Sequence, residues 1–325
     1  MRGMEGGPLT ILIVRPPSDL AQDGNKTTAD RWARLLTELG HEARVTEGWD
    51  GTPCDLLVAL HARKSHDAVV RSHKAAPDRP ILVCGAGTDL YSDVEPGEGD
   101  EVLESLRVAS RILLLQELAR ERVPEELRDR ARVLHQSALP MEDRPAPPED
   151  HFRVAFLANV RPVKDPLTAL RAAERLPEGI RIVHAGAHID PDLSQRLARR
   201  AADCRAFESR GPLSPEEARA LIASSHLLLS TSRHEGGANV LSEALALEVP
   251  ILCTNIPGSL GLLGSGYPGT FEVEDAKGLA AQIVRARDDE AFGSELRAAC
   301  AERAWLANPK TEREGWRRLL AELTT

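Results

Sequence analysis

The residues with the clearest chemical potential form one short segment, Ser232–Glu243, with the sequence SRHEGGANVLSE. An apolar run predicted to be a strand ends at Ser230, and a small apolar helix is predicted over Asn239–Leu247. A glycine-containing turn between a strand and a helix presents backbone N–H groups at the positive end of the helix, where anions bind. We therefore predict an anion site flanked by Glu235 and Glu243. The alternative is an ordinary helix with Glu235 as an N-terminal charge and Glu243 partly exposed.

Two cations follow another predicted strand, Phe152–Leu157, in the loop NVRPVKDP. Arg161 and Lys164 are thereby placed at the carboxyl end of the strand, which is the side of a parallel sheet where ligands bind. Two cations at this place would neutralise a diphosphate. A solvated basic loop is the alternative interpretation.

A third group of polar residues lies in the first half of the chain, again after predicted strands. It comprises Asn25, Lys26 and Thr27 at the start of the first predicted helix, then His61, Arg63, Lys64 and Ser65 after the strand Asp55–Leu60, and GTDLY after the strand Pro80–Cys84. The chain has only six lysines and hence 41 − 6 = 35 arginines, so each lysine is a candidate point charge. We expect Lys26, Arg63 and Lys64 to converge on a small anion, although each taken alone is more simply a solvated charge.

A possible metal motif, Asp190-Pro-Asp192, also follows a predicted strand. Aspartate at the N-cap with proline at the first helical position is a common helix start, and we prefer that interpretation to a metal site.

The framework that positions these residues is an alternation of strands and helices. Predicted strands cover 9–14, 55–60, 80–84, 111–115, 152–157, 180–184, 226–230 and 250–254, and predicted helices cover 29–39, 166–176, 193–202, 215–223 and 239–247. Such alternation implies parallel sheets covered by helices. We therefore predict an α/β fold of two tandem Rossmann-like, doubly wound domains that face a cleft. The first spans 1–140, a Pro-rich linker spans 141–150, the second spans 151–300, and a helical tail, 301–325, packs back on the first.

Composition narrows the class of protein. The 325 residues carry a net charge of −9, which argues against a nucleic-acid partner, and 42% hydrophobic with 28% charged residues is globular. The five cysteines show no C-x-x-C pair, so neither a disulfide framework nor a zinc site is indicated. With no apolar run long enough for a membrane span and no apolar leader at the start, we expect a cytoplasmic protein without a membrane partner.

Taken together, the Arg161/Lys164 loop, the Glu235-x7-Glu243 pair and the two-sheet layout resemble the family 4 glycosyltransferases of the GT-B fold. These are retaining enzymes with nucleotide-sugar donors, and they generally need no metal, so no metal and no cofactor are expected. The resemblance implies that Arg161 and Lys164 hold the diphosphate, Glu235 contacts the transferred sugar and Glu243 holds the ribose hydroxyls. It assigns backbone contacts to sugar and phosphate to Gly236, Gly237, Ala238, Asn239 and Val240.

The segments GNKTTA, HARKS, GTDLY, HQSALP, HEGGANV and IPGSLGLLG before YPG resemble one group in particular, the selenosugar synthases of selenoneine biosynthesis. This implies transfer of a sugar, such as N-acetylglucosamine, from a UDP-sugar to selenophosphate with release of UDP. The acceptor would contact Asn25, Lys26, Thr27, Arg63, Lys64 and Ser65, and His61 would touch the donor sugar. One alternative is a retaining glycosyltransferase that acts on a hydroxyl of a small phosphorylated or glycan acceptor. Another is a regulatory protein that binds a nucleotide sugar without catalysis.

Overall fold

A computed structural model describes residues 7–18, 23–91 and 100–324 of the chain. The chain divides into two compact units, and each is built on a six-stranded parallel sheet. The first unit comprises Met1–Gln136, Glu235–Gly237 and Pro309–Thr325, and the second comprises Ser137–His234 and Ala238–Asn308. The predicted class, α/β with two parallel-sheet domains, is confirmed. The glycine-rich start of the chain, residues 1–6, lies outside the described residues.

The sheet of the first unit has the strand order β2-β1-β3-β4-β5-β6. Its strands are β1 (Thr10–Arg15), β2 (Glu42–Glu47), β3 (Leu56–Leu60), β4 (Ile81–Cys84), β5 (Arg111–Leu114) and β6 (Ala131–Val133). The helices that connect them are α1 (Gly24–Glu38), α2 (His66–Ala75), α3 (Gly87–Tyr91) and α4 (Asp100–Val108). Every residue of β3 and β4 is buried, as expected for central strands that are covered on both faces.

The sheet of the second unit has the order β12-β11-β10-β7-β8-β9. Its strands are β7 (Phe152–Leu157), β8 (Ile180–Ala185), β9 (Phe207–Ser209), β10 (Leu227–Ser230), β11 (Ile251–Thr254) and β12 (Thr270–Phe271). Its helices are α5 (Pro166–Ala173), α6 (Pro191–Ala201), α7 (Pro215–Ala223), α8 (Asn239–Ala246), α9 (Pro257–Leu263), α10 (Ala276–Asp288) and α11 (Glu290–Arg303). Strands β7 and β8 pair in register over six residues, from Phe152 opposite Ile180 to Leu157 opposite Ala185.

The last helix, α12 (Pro309–Thr324), belongs to the first unit and packs on α1. The rings of Trp32 and Trp316 meet edge to face with their centroids 5.1 Å apart. Beside them, the carboxylate of Glu312 is only 1% exposed, accepts the Trp32 indole N–H at 2.8 Å and pairs with Arg31 Nε at 3.0 Å. A buried carboxylate with these partners fixes one helix against the other.

A second carboxylate of α12 binds the edge of the sheet. Glu322 accepts hydrogen bonds from Arg111 Nε at 3.1 Å and Arg132 Nε at 2.8 Å, on β5 and β6 respectively. Partial burial raises the pKa of the Glu322 carboxyl, but the two arginines outweigh it and hold the pKa below its ordinary value.

Four strands were not predicted from the sequence, namely β2, β6, β9 and β12. All four lie at the edges of the two sheets. No residue of β2 is fully buried, and β6, β9 and β12 have only two or three residues each. Because they lack the apolar run that marks a central strand, periodicity does not reveal them.

No helix in the described part of the chain combines the length and apolarity that are needed to cross a bilayer.

Candidate active site

Two neighbouring strand ends of the second unit bring the predicted donor segments together. After β7, a short 3-10 turn covers Pro162–Lys164, and β10 lies next to β7 in the sheet. The hydroxyl of Thr231 donates to the carbonyl of Lys164 at 2.7 Å, and the N–H of Arg233 donates to the carbonyl of Val163 at 2.8 Å. The loop that carries Arg161 and Lys164 is therefore hydrogen-bonded to the start of the Ser232–Glu243 segment.

A buried carboxylate supports this junction. Asp165 is 5% exposed and has a left-handed backbone (φ 41°), and its side chain accepts the hydroxyl of Thr168 at 2.7 Å. Arg233 lies 3.5 Å from Asp165 and also pairs with Glu274. The sequence did not predict these three residues, Asp165, Arg233 and Glu274, as site residues. Their pairing brings together loops that are far apart in sequence.

Helix α8 begins at Asn239, where the sequence predicts a helix start, with Ala238 as its N-cap. The methyl side chain of Ala238 has no atom that caps a helix, and the first turn holds no acidic residue. Neither a side-chain cap nor an acidic first turn therefore neutralises the positive end of the helix dipole, and an anionic ligand is a suitable partner for it. Glu243 lies one turn along α8 and is partly exposed.

The end of β8 approaches the Arg161 loop closely. A Cβ atom on Gly186 would lie 2.0 Å from the carbonyl oxygen of Ala158, so only glycine fits there. The side chain of Asn159 accepts the Ala187 N–H at 2.8 Å, and His184 bonds the Ala158 carbonyl at 2.8 Å. Burial lowers the pKa of His184, which favours the neutral ring in this place.

The Asp190-Pro-Asp192 motif is a helix start. The carboxylate of Asp190 accepts the Leu193 N–H at 2.9 Å, which confirms the N-cap interpretation. Within residues 7–18, 23–91 and 100–324, no group of three or more His, Cys, Asp and Glu side chains is arranged to hold a metal ion.

In the first unit, the first predicted acceptor segment forms the opening turn of α1. The carboxylate of Asp23 accepts the Lys26 N–H at 2.8 Å, and the Thr27 hydroxyl donates to the Asp23 carbonyl at 3.0 Å. The ammonium of Lys26 lies 3.3 Å from Asp30 one turn along the helix. Asn25 is half-buried beside them. A surface pair of this kind contributes little to stability.

The second predicted acceptor segment is the turn between β3 and α2. Arg63 and Lys64 are exposed, whereas His61 is only 5% exposed and has a left-handed backbone (φ 71°). The hydroxyl of Ser65 is buried and donates to the carbonyl of Leu60 at 2.6 Å. Ser65 therefore shapes the turn from within, and the two cations are its outward-facing members.

The turn after β4 lies against the Glu235–Gly237 segment, which belongs to the same unit. A Cβ atom on Gly87 would lie 2.6 Å from the Gly236 nitrogen and 2.9 Å from the Glu235 carbonyl carbon. The first unit thus contains one set of predicted residues, Asn25, Lys26, Thr27, His61, Arg63, Lys64, Ser65, Glu235, Gly236 and Gly237. The second contains the other set, Arg161, Lys164, Ala238, Asn239, Val240 and Glu243.

Comparison with known proteins decides the family. A family model described as "Glycosyl transferases group 1" matches residues 140–305, which is more than half of the chain. The chain belongs to the group 1 glycosyltransferases. The matched range contains the Arg161 loop, the Gly186 turn and the whole segment from Ser232 to Glu243.

Solved structures share the fold of this glycosyltransferase over nearly its whole length. The crystal structure of Anabaena HepE in complex with UDP-glucose is similar with a TM-score of 0.73 at 14% identity, covering 96% of this chain and 100% of that chain. Sucrose-phosphate synthase from Thermosynechococcus elongatus matches with a TM-score of 0.76 at 14% identity, covering 97% and 99%. A glycosyltransferase from Rickettsia africae matches with a TM-score of 0.72 at 13% identity, covering 97% and 98%. The expected GT-B class is thereby confirmed.

Proposed function

We propose that this glycosyltransferase transfers a sugar, N-acetylglucosamine in the first instance, from a UDP-sugar to selenophosphate. Family membership supports sugar transfer, and HepE, which shares the fold, binds UDP-glucose. The observation that carries the donor side is the pair of hydrogen bonds that Thr231 and Arg233, where β10 leads into the Ser232–Glu243 segment, donate to the Arg161/Lys164 loop.

On the donor side, Arg161 and Lys164 neutralise the diphosphate together with the N–H groups at the start of α8. Glu243 binds the ribose hydroxyls, while Glu235 and the following backbone from Gly236 to Val240 contact the sugar and phosphate. Fixed cations and helix N–H groups stabilise the charge that develops on the leaving diphosphate, so the proposed reaction runs without a metal.

On the acceptor side, Lys26, Arg63 and Lys64 bind the phosphate group of the acceptor, with Asn25 and Thr27 beside them. Arg63 and Lys64 are exposed on the turn after β3, and the only charge partner of Lys26 on α1 is the exposed Asp30 among the described residues. The selenium lone pair attacks the anomeric carbon of the sugar. The carbon–selenium bond forms as the bond to the diphosphate oxygen breaks, and the electron pair of that bond leaves with UDP. A selenium anion is nucleophilic near neutral pH, so the step needs no dedicated base.

The test is incubation of the protein with UDP-N-acetylglucosamine and selenophosphate, beside thiophosphate, phosphate and glycerol phosphate, with EDTA present. We expect UDP and, by mass spectrometry, the sugar joined to selenophosphate through selenium, or the selenosugar that remains after water hydrolyses the selenium–phosphorus bond. Turnover of glycerol phosphate alone would replace the proposal with hydroxyl transfer. Binding of the UDP-sugar without turnover of any acceptor would instead indicate a regulatory protein.

In this assay, variants distinguish residues that bind the acceptor from residues that bind the donor. Replacing Lys64 with Ala should raise the KM for selenophosphate and leave the affinity for UDP unchanged. The matched control is Lys74→Ala, which removes an exposed lysine from α2 in the same unit. Equal effects of the two variants would contradict the acceptor role of Lys64.

A further inference from the structure

The side chain of Asp89, at the start of α3, is fully buried, accepts three backbone N–H groups and lies beside one histidine ring. It accepts the backbone N–H groups of Ala62 at 2.7 Å, Arg63 at 3.1 Å and Ala86 at 2.8 Å. Its fourth partner is the Nδ1 atom of His61 at 2.7 Å. One carboxylate thus ties the turn after β3 to the turn after β4.

This contact determines which ring nitrogen of His61 carries the proton. A carboxylate only accepts hydrogen bonds, so a nitrogen 2.7 Å from it must donate, and Nδ1 is protonated. The Lys64 N–H also points at this nitrogen, but at 3.4 Å it is a much weaker partner than the carboxylate at 2.7 Å, so Asp89 decides which nitrogen carries the proton. His61 is held there with a left-handed backbone (φ 71°), a conformation that costs a residue with a Cβ atom and is concentrated at functional sites.

The proton on Nδ1 in turn fixes the direction of the next hydrogen bond. In the neutral ring, Nε2 is then an acceptor, and the hydroxyl of Thr88 lies 3.0 Å from it. With this tautomer, Thr88 donates its proton to His61, and its oxygen then has only lone pairs to offer to any other partner. His61 is 5% exposed, whereas Thr88 is half-buried and follows Gly87, the residue in contact with Glu235 and Gly236.

We infer that Asp89 is a positioning residue which, through His61, makes Thr88 Oγ1 an acceptor for a hydroxyl or amide N–H of the transferred sugar. In this relay, Asp89 fixes the proton on His61, and His61 fixes the direction of the Thr88 hydroxyl. The site then favours a sugar that can donate a hydrogen bond to Thr88 Oγ1. The sugar contact rests on the proposed function, whereas the protonation of His61 does not.

The relay is tested first without any ligand. Histidine-selective ¹⁵N NMR at pH 8.5 reports which ring nitrogen carries hydrogen, and His61→Gln identifies the signals of His61. We expect the Nδ1–H form in the wild type and the Nε2–H form in Asp89→Asn, because the amide group that replaces the carboxylate would donate to Nδ1. An Nε2–H ring, or a ring with hydrogen on both nitrogens, in the folded wild-type protein would overturn the inference, whatever substrate the enzyme uses.

The sugar contact is tested by calorimetric binding of UDP-N-acetylglucosamine and of UDP alone. Thr88→Val should weaken binding of the UDP-sugar about 3- to 10-fold without changing that of UDP, and Thr88→Ser should restore it. Because both residues act through one bond, the double variant Asp89→Asn/Thr88→Val should lose no more than the single variants.

If Asp89 and Thr88 instead had independent structural roles, the fold losses in UDP-sugar affinity of the two single variants would multiply in the double variant. That result would overturn the relay. The matched control is Glu104→Gln, which removes an exposed carboxylate 3.3 Å from another histidine of this unit, His66. It should leave both affinities unchanged. Unchanged UDP-sugar binding in Thr88→Val would show that Thr88 does not face the sugar. If the wild type binds UDP but not the UDP-sugar, the proposed donor is wrong and the NMR result alone decides the protonation of His61.

Discussion

Replacing Glu312 with Ala should destabilise the first unit strongly. The carboxylate of Glu312 is 1% exposed, accepts the Trp32 indole N–H and pairs with Arg31, whose side chain is 9% exposed. Two charge-assisted bonds contribute about 1.5–3 kcal/mol each, and removing one member of a buried pair costs about 3–5 kcal/mol. We expect a loss of about 3–5 kcal/mol, because the variant removes one member of a buried ion pair.

Urea unfolding followed by tryptophan fluorescence measures this loss, because three of the four tryptophans, Trp32, Trp49 and Trp316, belong to the first unit and the fourth, Trp305, is already exposed in the folded protein. With a slope of about 2 kcal/mol per M, the midpoint should fall by about 1.5–2.5 M. Glu312→Gln should lose roughly half as much, since an amide oxygen still accepts the Trp32 N–H.

The control is Glu314→Ala on the same helix. The carboxylate of Glu314 pairs with Arg317 one turn away, and both side chains are at least half exposed, so the expected loss is below about 1 kcal/mol. If the Glu312 and Glu314 variants unfold at the same urea concentration, the buried pair does not hold α12 on α1, and the reasoning from burial is wrong.

Three further outcomes follow from single contacts. Asp190→Ala should lower the stability of the second unit by about 0.5–2 kcal/mol in thermal unfolding, whereas Asp190→Asn should keep the helix cap. Both variants should retain turnover. If both lost turnover and a divalent ion restored it, Asp190 would belong to a metal site. The lowered pKa of Glu322 stabilises the folded state above about pH 4.5, and this stabilisation is lost as the pH falls through the folded-state pKa. The free energy of unfolding of Glu322→Gln should therefore fall less between pH 6 and pH 3 than that of the wild type. Burial raises the pKa of Cys253 to about 12, so at pH 8 a thiol reagent should modify the half-buried Cys54 well before Cys253, by mass spectrometry.

The central framework of the fold could be predicted from sequence because it rests on local patterns. Leu56–Leu60 and Ile81–Cys84 are continuous apolar runs, and such runs are typical of strands that are buried on both faces. The start of α8 was also predictable, since a polar glycine turn precedes it. The segment Phe207–Ser209 was missed because only its phenylalanine is buried, so its strand conformation depends on pairing with β8.

The site could be predicted in part for a similar reason. Lys164 and the Ser232–Glu243 segment follow strands that are readily recognised, and parallel strands place their carboxyl ends together. The role of Asp89 was not predictable, because its partners His61 and Ala62 lie 27 or more residues away and the donors include backbone groups. The only indication in the sequence was the position of this carboxylate in the segment GTDLY, directly after a predicted strand. The pairing of Arg233 with Asp165 and Glu274 likewise appears only after folding.

The four strands that the sequence did not predict are the edge strands of the two sheets, and their character affects whether the protein aggregates at high concentration. An edge strand has unpaired backbone groups that can recruit another chain, and long, apolar edges lead to aggregation. Here β2 carries the exposed charges Glu42, Arg44 and Glu47, and β9 and β12 are too short to template a partner. At the other edge of the first sheet, Glu322 binds Arg132 of β6. These segments are hard to recognise from sequence patterns because they are short or charged. For the same reason they protect both sheets against the addition of a strand from another chain.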